Sequence, residues 1–502
     1  MHVRNVLIVL FMLPVAIFGQ VQVADVFSSN MVLQRDQDIV VWGKARPGDL
    51  VEVYLGGHLA HSTATHDSVW TVVLPAQKIN RTGQQLTVSC GDSSVSFENV
   101  LIGDVWVCIG QSNMEWPMRK ELHWKEEMTV CDHPEIRLCN PPPAGRYVYG
   151  ARYTDSLVSR LNLEKFYDWD AWFVSDSSSV SSMSAVAYYF AREVNARTGI
   201  PIGIINLSIG GAPLESFISK EALLSDPKFR AKVSGNWLEN DALPVWVKER
   251  GVQNVGQLAQ VPSDDTGPFH AYKPGFAYEA GIKPLFQMPV KGILCYQGES
   301  NSQEIRSVNE YAELSALMVS DFRKNWKTND LPFYFVQLSS IDTTGYKSQF
   351  WGEFRDEQRK MLATIPFSGM AVCSDIGAFK NVHPTNKKSV GERLARWALN
   401  LNYKLDVTPS GPLALKAVYS RNQVEITFDY AHSGLKTSDG GLVHGFSLDG
   451  YNEVEASFFK GKVMIPVRKK PAFVYYGWKP YSDGNVVNAE NLPMSTFRLA
   501  VE

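Results

Sequence analysis

Five stretches of this chain are apolar at nearly every residue, and each breaks off into a cluster of small or polar side chains. They cover residues 100–109, 202–207, 290–296, 333–338 and 370–374. A strand with one wet face alternates apolar and polar residues. A run that is apolar throughout reads as a strand covered on both faces, as in a parallel sheet. Helical patterns lie between the runs, at 184–197, 309–325, 354–364 and 388–400. This alternation predicts an α/β domain of three layers, a parallel sheet between helices, with right-handed crossovers.

The flanks read differently. Residues 38–42, 51–55, 70–74 and 85–89 are short strand patterns separated by Gly and Pro turns. Strands at such spacing predict a small antiparallel β-sandwich. The β style returns after residue 405, at 424–428, 446–448, 463–467 and 472–476. That tail is either a second sandwich or a partner of the first. The expected division is therefore 1–19 as a leader, 20–100 as an N-terminal β domain, 101–404 as the α/β domain and 405–502 as a C-terminal β domain.

The leader follows from His2 and Arg4, an apolar run over residues 6–18 and the small Gly19. That is the pattern of a secretory signal peptide cleaved near Gly19–Gln20. No later run is long enough for a membrane span. Lys and Arg total 49 against 52 Asp and Glu, a net charge of −3. This lacks the basic footprint of a nucleic-acid binder. With 45% hydrophobic and 20% charged residues, the chain is not of disordered composition. Among the six cysteines, Cys131 and Cys139 flank a polar loop and are the best local disulfide candidates. No Cys or His spacing suggests a metal site. Glycosylation sequons occur at Asn80 and Asn206. The second falls in a candidate site motif and is expected to stay unmodified.

Ligands of open α/β sheets bind at the carboxyl ends of the strands. The first run ends in Gly110-Gln111-Ser112-Asn113, and the second in Ser208-Ile209-Gly210-Gly211. The third ends in Gln297-Gly298-Glu299-Ser300-Asn301. The last is followed by Asp375-Ile376-Gly377 and then Asn381-Val382-His383-Pro384. One serine, a glycine pair, amides and one histidine thus meet at one sheet edge. That is an inventory for nucleophilic acyl transfer. No facing pair of carboxylates stands out, which argues against a glycosidase.

These blocks resemble the SGNH hydrolase superfamily. The wider set NMVLQR (30–35), VWG (41–43), GDVWVCIGQSNMEWPM (103–118), YQGESN (296–301), DIG with VHPTNK (375–387) and LPMSTFR (492–498) resembles the sialate O-acetylesterase family over essentially the whole mature chain. The resemblance implies an SGNH-type α/β domain flanked by all-β segments, and a secreted serine esterase acting on O-acetylated sialic acid or sialoglycan without metal or cofactor. It implies Ser112 as nucleophile and His383 as base and then acid. It implies an oxyanion hole from the backbone N–H of Ser112, one from Gly210 or Gly211, and a side-chain amide from Gln297 or Asn301.

The superfamily often places Asp three residues before the histidine, where this chain has Lys380. Asp375 is ranked first as the third triad member. Glu299, with Gln111 beside it, is the alternative, and a backbone carbonyl or an unassisted dyad remains open. A sialic acid carboxylate would be met by Arg119 or Arg355, and the sugar by Trp116 or Trp351. Two other readings stand beside this one: an esterase of other acetylated carbohydrates such as acetyl-xylan, and a sugar-binding protein without catalysis.

Overall fold

The computed structural model describes residues 21–502, so the segment read as a signal peptide lies outside the described residues. The protein is a mixed α/β structure built on one extended sheet. Its main path runs Phe173–Ser175, His133–Cys139, Ile202–Asn206, Ser93–Gly110, Gly292–Tyr296, Phe333–Gln337, Ser368–Val372. All neighbours on this path pair parallel except the first two strands, which are antiparallel. Three of the five apolar runs are fully buried here, as two-sided coverage requires; the strand of the run at 290–296 is buried throughout from Gly292, and that of the last from Gly369. Helices Ala185–Thr198 and Lys388–Leu401 pack together against the sheet. Helices Ile305–Trp326 and Trp351–Thr364 form a second pair. Trp106 packs edge-on to Phe190 of the first helix and stacks on Tyr334 of the sheet, which locks that layer to the strands.

The expected boundary at residue 100 falls inside one strand. Ser93–Gly110 pairs antiparallel with Asn80–Cys90 at its start and parallel with Ile202–Asn206 and Gly292–Tyr296 at its end. Its burial alternates up to Asn99 and is complete from Val100 on. The shift in sequence style is real, but it marks where one strand passes from a half-covered sheet to a fully covered one. A three-stranded sheet of Gln22–Val23, Ile39–Lys44 and Val69–Leu74 lies beside the antiparallel part. Its Val41, Trp70 and Val72 join Val51, Val53 and Leu86 in a core continuous with that of the α/β part. Val32–Gln34 pairs parallel with Leu101–Gly103, and Arg35 grips Asp104 with two hydrogen bonds. The 30–35 motif is thus structural.

The C-terminal strands have their own apolar core, from Ala414 to Val501. They dock on the α/β part through Arg355, which is fully buried and donates to Ser340 Oγ (3.1 Å), Gly477 O (2.7 Å) and Lys479 O (2.6 Å). Thr496 of the 492–498 motif exchanges hydrogen bonds with the Gln337 side chain.

The expected Cys131–Cys139 disulfide is absent; every cysteine is free. His133–Cys139 is an extended strand, and six steps of ~3.3 Å hold its ends ~20 Å apart. A disulfide needs Cα atoms within ~7 Å. Asn206 is buried and bonded to Asn140 and Ser208, which bars glycosylation there. Among the described residues no helix is long and apolar enough to cross a membrane.

Candidate active site

The chain visits the centre of the sheet first, then fills one side and then the other, so strand order reverses beside Ser93–Gly110. At its carboxyl end Gly110 has φ +129°, and a Cβ there would sit 2.1 Å from Tyr296 O. Only glycine fits both demands. The turn it permits launches a one-turn helix, Ser112–Glu115, with Ser112 at its first position. Ser112 Oγ and His383 Nε2 are 2.8 Å apart. The sheet edge thus brings together residues 271 positions apart in sequence.

The imidazole is held from several sides. Its ring stacks on Trp116 at 5.4 Å between centres. Its backbone N–H is accepted by Asn381 Oδ1 at 2.9 Å. Burial, and then the charges of Lys387 and Lys120, push its pKa down to about 4. Among the described residues no carboxylate or carbonyl bonds its second nitrogen. Asp375, ranked first as the acid, is instead clamped by both terminal nitrogens of Arg393 at 2.7 Å each. The same arginine donates to Val372 O, which fixes the pair to the sheet. The structure therefore presents a serine–histidine dyad.

Behind the dyad is a buried polar knot. Asn113 Nδ2 donates to Glu299 Oε1 and to Val382 O, the carbonyl next to His383. Lys387 Nζ donates to Asn113 Oδ1 and faces the rings of Trp116 and Tyr296. Burial pushes the Glu299 carboxyl up to about 7 and the Lys387 ammonium down to about 7. Glu299 Oε2 has no partner among the described residues. Asn113 and Lys387 escaped the sequence reading as site residues, although both stand inside the quoted motifs.

Gln297 and Asn301 prove to be framework. Gln297 Nε2 donates to Gln111 Oε1, Ala212 O and Asn301 Oδ1, and its carbonyl accepts from Tyr311. Gln111 Oε1 also accepts from the backbone N–H of Gly298 and Ser300. Asn301 accepts from Leu214 N and donates to Glu215. Burial alone would raise the Glu215 pKa, but Lys232 at 2.9 Å outweighs it and holds the carboxyl below its usual value. Of the glycine pair, Gly210 N–H is taken by the buried Glu115 carboxylate, itself paired with Arg146. Among the described residues the backbone N–H groups of Ser112 and Gly211 have no acceptor.

The remaining expectations divide. Trp116 is at the site. Arg119 is exposed and donates to Ser181 O at 3.4 Å. Arg355 belongs to the interior contact with the C-terminal strands and faces no substrate, because it is fully buried and three internal acceptors take both its terminal nitrogens. Trp351 is buried, with its indole N–H on Ser339 O.

Comparison with known proteins finds acetylesterases. Residues 273–400 match the family model described as carbohydrate esterase, sialic acid-specific acetylesterase. Human sialate O-acetylesterase is 27% identical over 427 residues, covering 78% of this chain and 73% of that protein. The mouse enzyme is 26% identical over 446 residues, covering 81% and 78%. The crystal structure of a carbohydrate acetylesterase from Xanthomonas citri superposes with a TM-score of 0.77 at 28% identity, over 95% of this chain and 99% of that one. With a serine–histidine pair at the switch point of its sheet and relatives matching along most of its length, the chain is similar to the sialate O-acetylesterases and is a carboxylic ester hydrolase of that type.

Proposed function

We propose that this protein removes O-acetyl groups from sialic acids through an acyl-enzyme on Ser112, in an α/β domain of the SGNH-hydrolase type. The observation that carries the reading is the 2.8 Å contact between Ser112 Oγ and His383 Nε2 at the carboxyl ends of parallel strands. An imidazole with a pKa near 4 is neutral at pH 7 and free to take a proton. Oγ bonds to the acetyl carbonyl carbon as its proton passes to Nε2. The oxyanion that forms is received by the unpaired N–H groups of Ser112 and Gly211. One such donor is typically worth about 2.7–4 kcal/mol of barrier. Collapse of the intermediate breaks the ester C–O bond, and the imidazolium returns its proton to the departing sugar alkoxide. Water, deprotonated by the same nitrogen, then releases acetate.

No step needs a metal or cofactor. Trp116 fixes the plane of the imidazole, and Asn113 ties the nucleophile's helix to the histidine loop. The substrate is an O-acetylated sialic acid or sialoglycan, as the names of the curated relatives suggest. The N-terminal strands and residues 405–502 frame the catalytic unit, and the apolar run at 6–18 is the basis for export. Acetate release from a 9-O-acetylated sialoglycan, with Ser112→Ala alongside, tests the proposal. Equal release by the variant would sink it.

A further inference from the structure

With Arg355 internal and Arg119 at the periphery, the carboxylate of an acidic sugar has no assigned partner. One guanidinium near the dyad has none either. Arg250 lies on the helix Val245–Val255. Its Nε and Nη1 are buried without a partner, and among the described residues it makes no hydrogen bond or ion pair. It faces the Tyr149 ring, 5.5 Å from the ring centre, and its Nη1 lies against Gly150. Arg250 itself is half-buried, and the fully buried arginines of the protein are better supplied. Arg137, Arg323 and Arg355 each hold several acceptors. Burying donors without a partner is costly, so a guanidinium with no acceptor at all calls for an occupant.

The surroundings of Arg250 point at the dyad. Trp246 stands four residues earlier, on the same face of the helix. Its indole N–H donates to Ser300 O at 3.2 Å, its ring meets Tyr272, and it lies against Gly211. The Tyr149 hydroxyl lies against Gly210. Arg250 is therefore separated from the glycine pair beside Ser112 by one tyrosine ring. Nothing there neutralises it. Burial keeps the Tyr149 and Tyr272 phenols protonated and His270 uncharged. The buried carboxylate of the region, Glu115, is bound by Arg146.

We propose that Arg250 is the anchor for the carboxylate of the acidic sugar, engaging it through its guanidinium while the ester group lies at Ser112. The inference rests on the reading that the substrate is an O-acetylated sialic acid. A guanidinium suits it, because its planar fork matches a carboxylate with two parallel hydrogen bonds.

The test compares a 9-O-acetylated sialoside with its carboxylate methyl ester, for wild type, Arg250→Gln and Arg250→Lys. Wild type should prefer the free acid. Arg250→Gln should lower the ratio of kcat/KM for acid over methyl ester about ten- to a hundredfold, chiefly through KM. Arg250→Lys should restore part of the ratio. Melting temperatures identify any folding defect, and because the ratio is internal to each variant it is insensitive to the folded fraction. An unchanged ratio in Arg250→Gln overturns the proposal and leaves the esterase reading standing. A wild type that cleaves 4-nitrophenyl acetate but neither sialoside overturns the substrate reading and this anchor with it.

Discussion

Lys387 is predicted to set the acid limit of catalysis, and its replacement by methionine should move that limit upward. Its Nζ lies 5.7 Å from the centre of the Trp116 ring, and the His383 ring lies 5.4 Å from the same centre, so the two charges are at most about 11 Å apart. At that separation and an effective dielectric constant of about 20, like charges repel by ~1.5 kcal/mol. That is ~1 pH unit on the histidine. The protonation states support the sign. Below about pH 6, Lys387 is charged and Glu299 is protonated, since burial pushes both toward about 7 from opposite sides. Glu299 then no longer offsets the ammonium, which opposes formation of the imidazolium. In wild type kcat/KM should fall on the acid side with a midpoint near 4. In Lys387→Met the midpoint should rise to about 5. The assay is kcat/KM for an acetyl ester from about pH 3.5 to about pH 8, where the acid limb reports the free enzyme's base. A midpoint that stays in place or moves lower would refute the electrostatic link between Lys387 and His383.

Three further outcomes are expected. Asp375→Asn should keep kcat/KM within about threefold, because Arg393 rather than His383 holds that carboxylate; a loss of about a hundredfold or more would restore a triad. Arg355→Leu should lower stability by about 2–5 kcal/mol, measured in urea, by stripping Gly477 O and Lys479 O of their donor, while KM stays put; a raised KM with unchanged stability would return Arg355 to the substrate site. Stability should also fall with acid through His270. Its Nδ1 accepts Tyr272 N–H, and burial pushes its pKa down to about 3. The unfolded chain takes up the proton as pH drops below about 6.5 and the folded protein does not, so about 2 kcal/mol should be gone by pH 5. A thermal melt that is flat from pH 7 to pH 5, or no flatter in His270→Asn, would contradict this.

The sequence exposed the features that depend on local pattern. Two-sided burial shows in continuous apolar runs, and a catalytic edge shows in what ends them, so the sheet and the Ser112 and His383 positions were legible. The other assignments depended on who stands opposite whom. Asp375 sits on the correct loop, but Arg393 arrives from the helix Lys388–Leu401 and takes it. Gln297 and Asn301 have the chemistry of oxyanion donors, yet Gln111, Leu214 and Glu215 converge on them from segments beyond two other strands and occupy them. Arg355 reads as a surface cation on an amphipathic helix until the C-terminal strands cover it. The boundary at residue 100 misled for a related reason. A change in patterning records a change in what covers a strand, and one strand can run under two covers.

The missing acid also follows from the balance of charge around the dyad. In a triad, a carboxylate makes the imidazole more basic by stabilising the imidazolium. Here the nearest charges are cations, Lys387 and Lys120, and they depress that basicity. The penalty applies to the imidazolium alone. In the transition state the proton has moved from Ser112 to His383 while negative charge has moved onto the acetyl oxygen, so the reacting pair as a whole is neutral. Cations that disfavour the imidazolium favour the oxyanion, and their net effect depends on which centre lies nearer. Arg146, held through Glu115 to Gly210, stands on the side of the glycine pair, and Lys387 stands behind the histidine. An enzyme so arranged should lose little from the absence of a carboxylate at the second imidazole nitrogen, and inserting one should help less than it does in a triad enzyme.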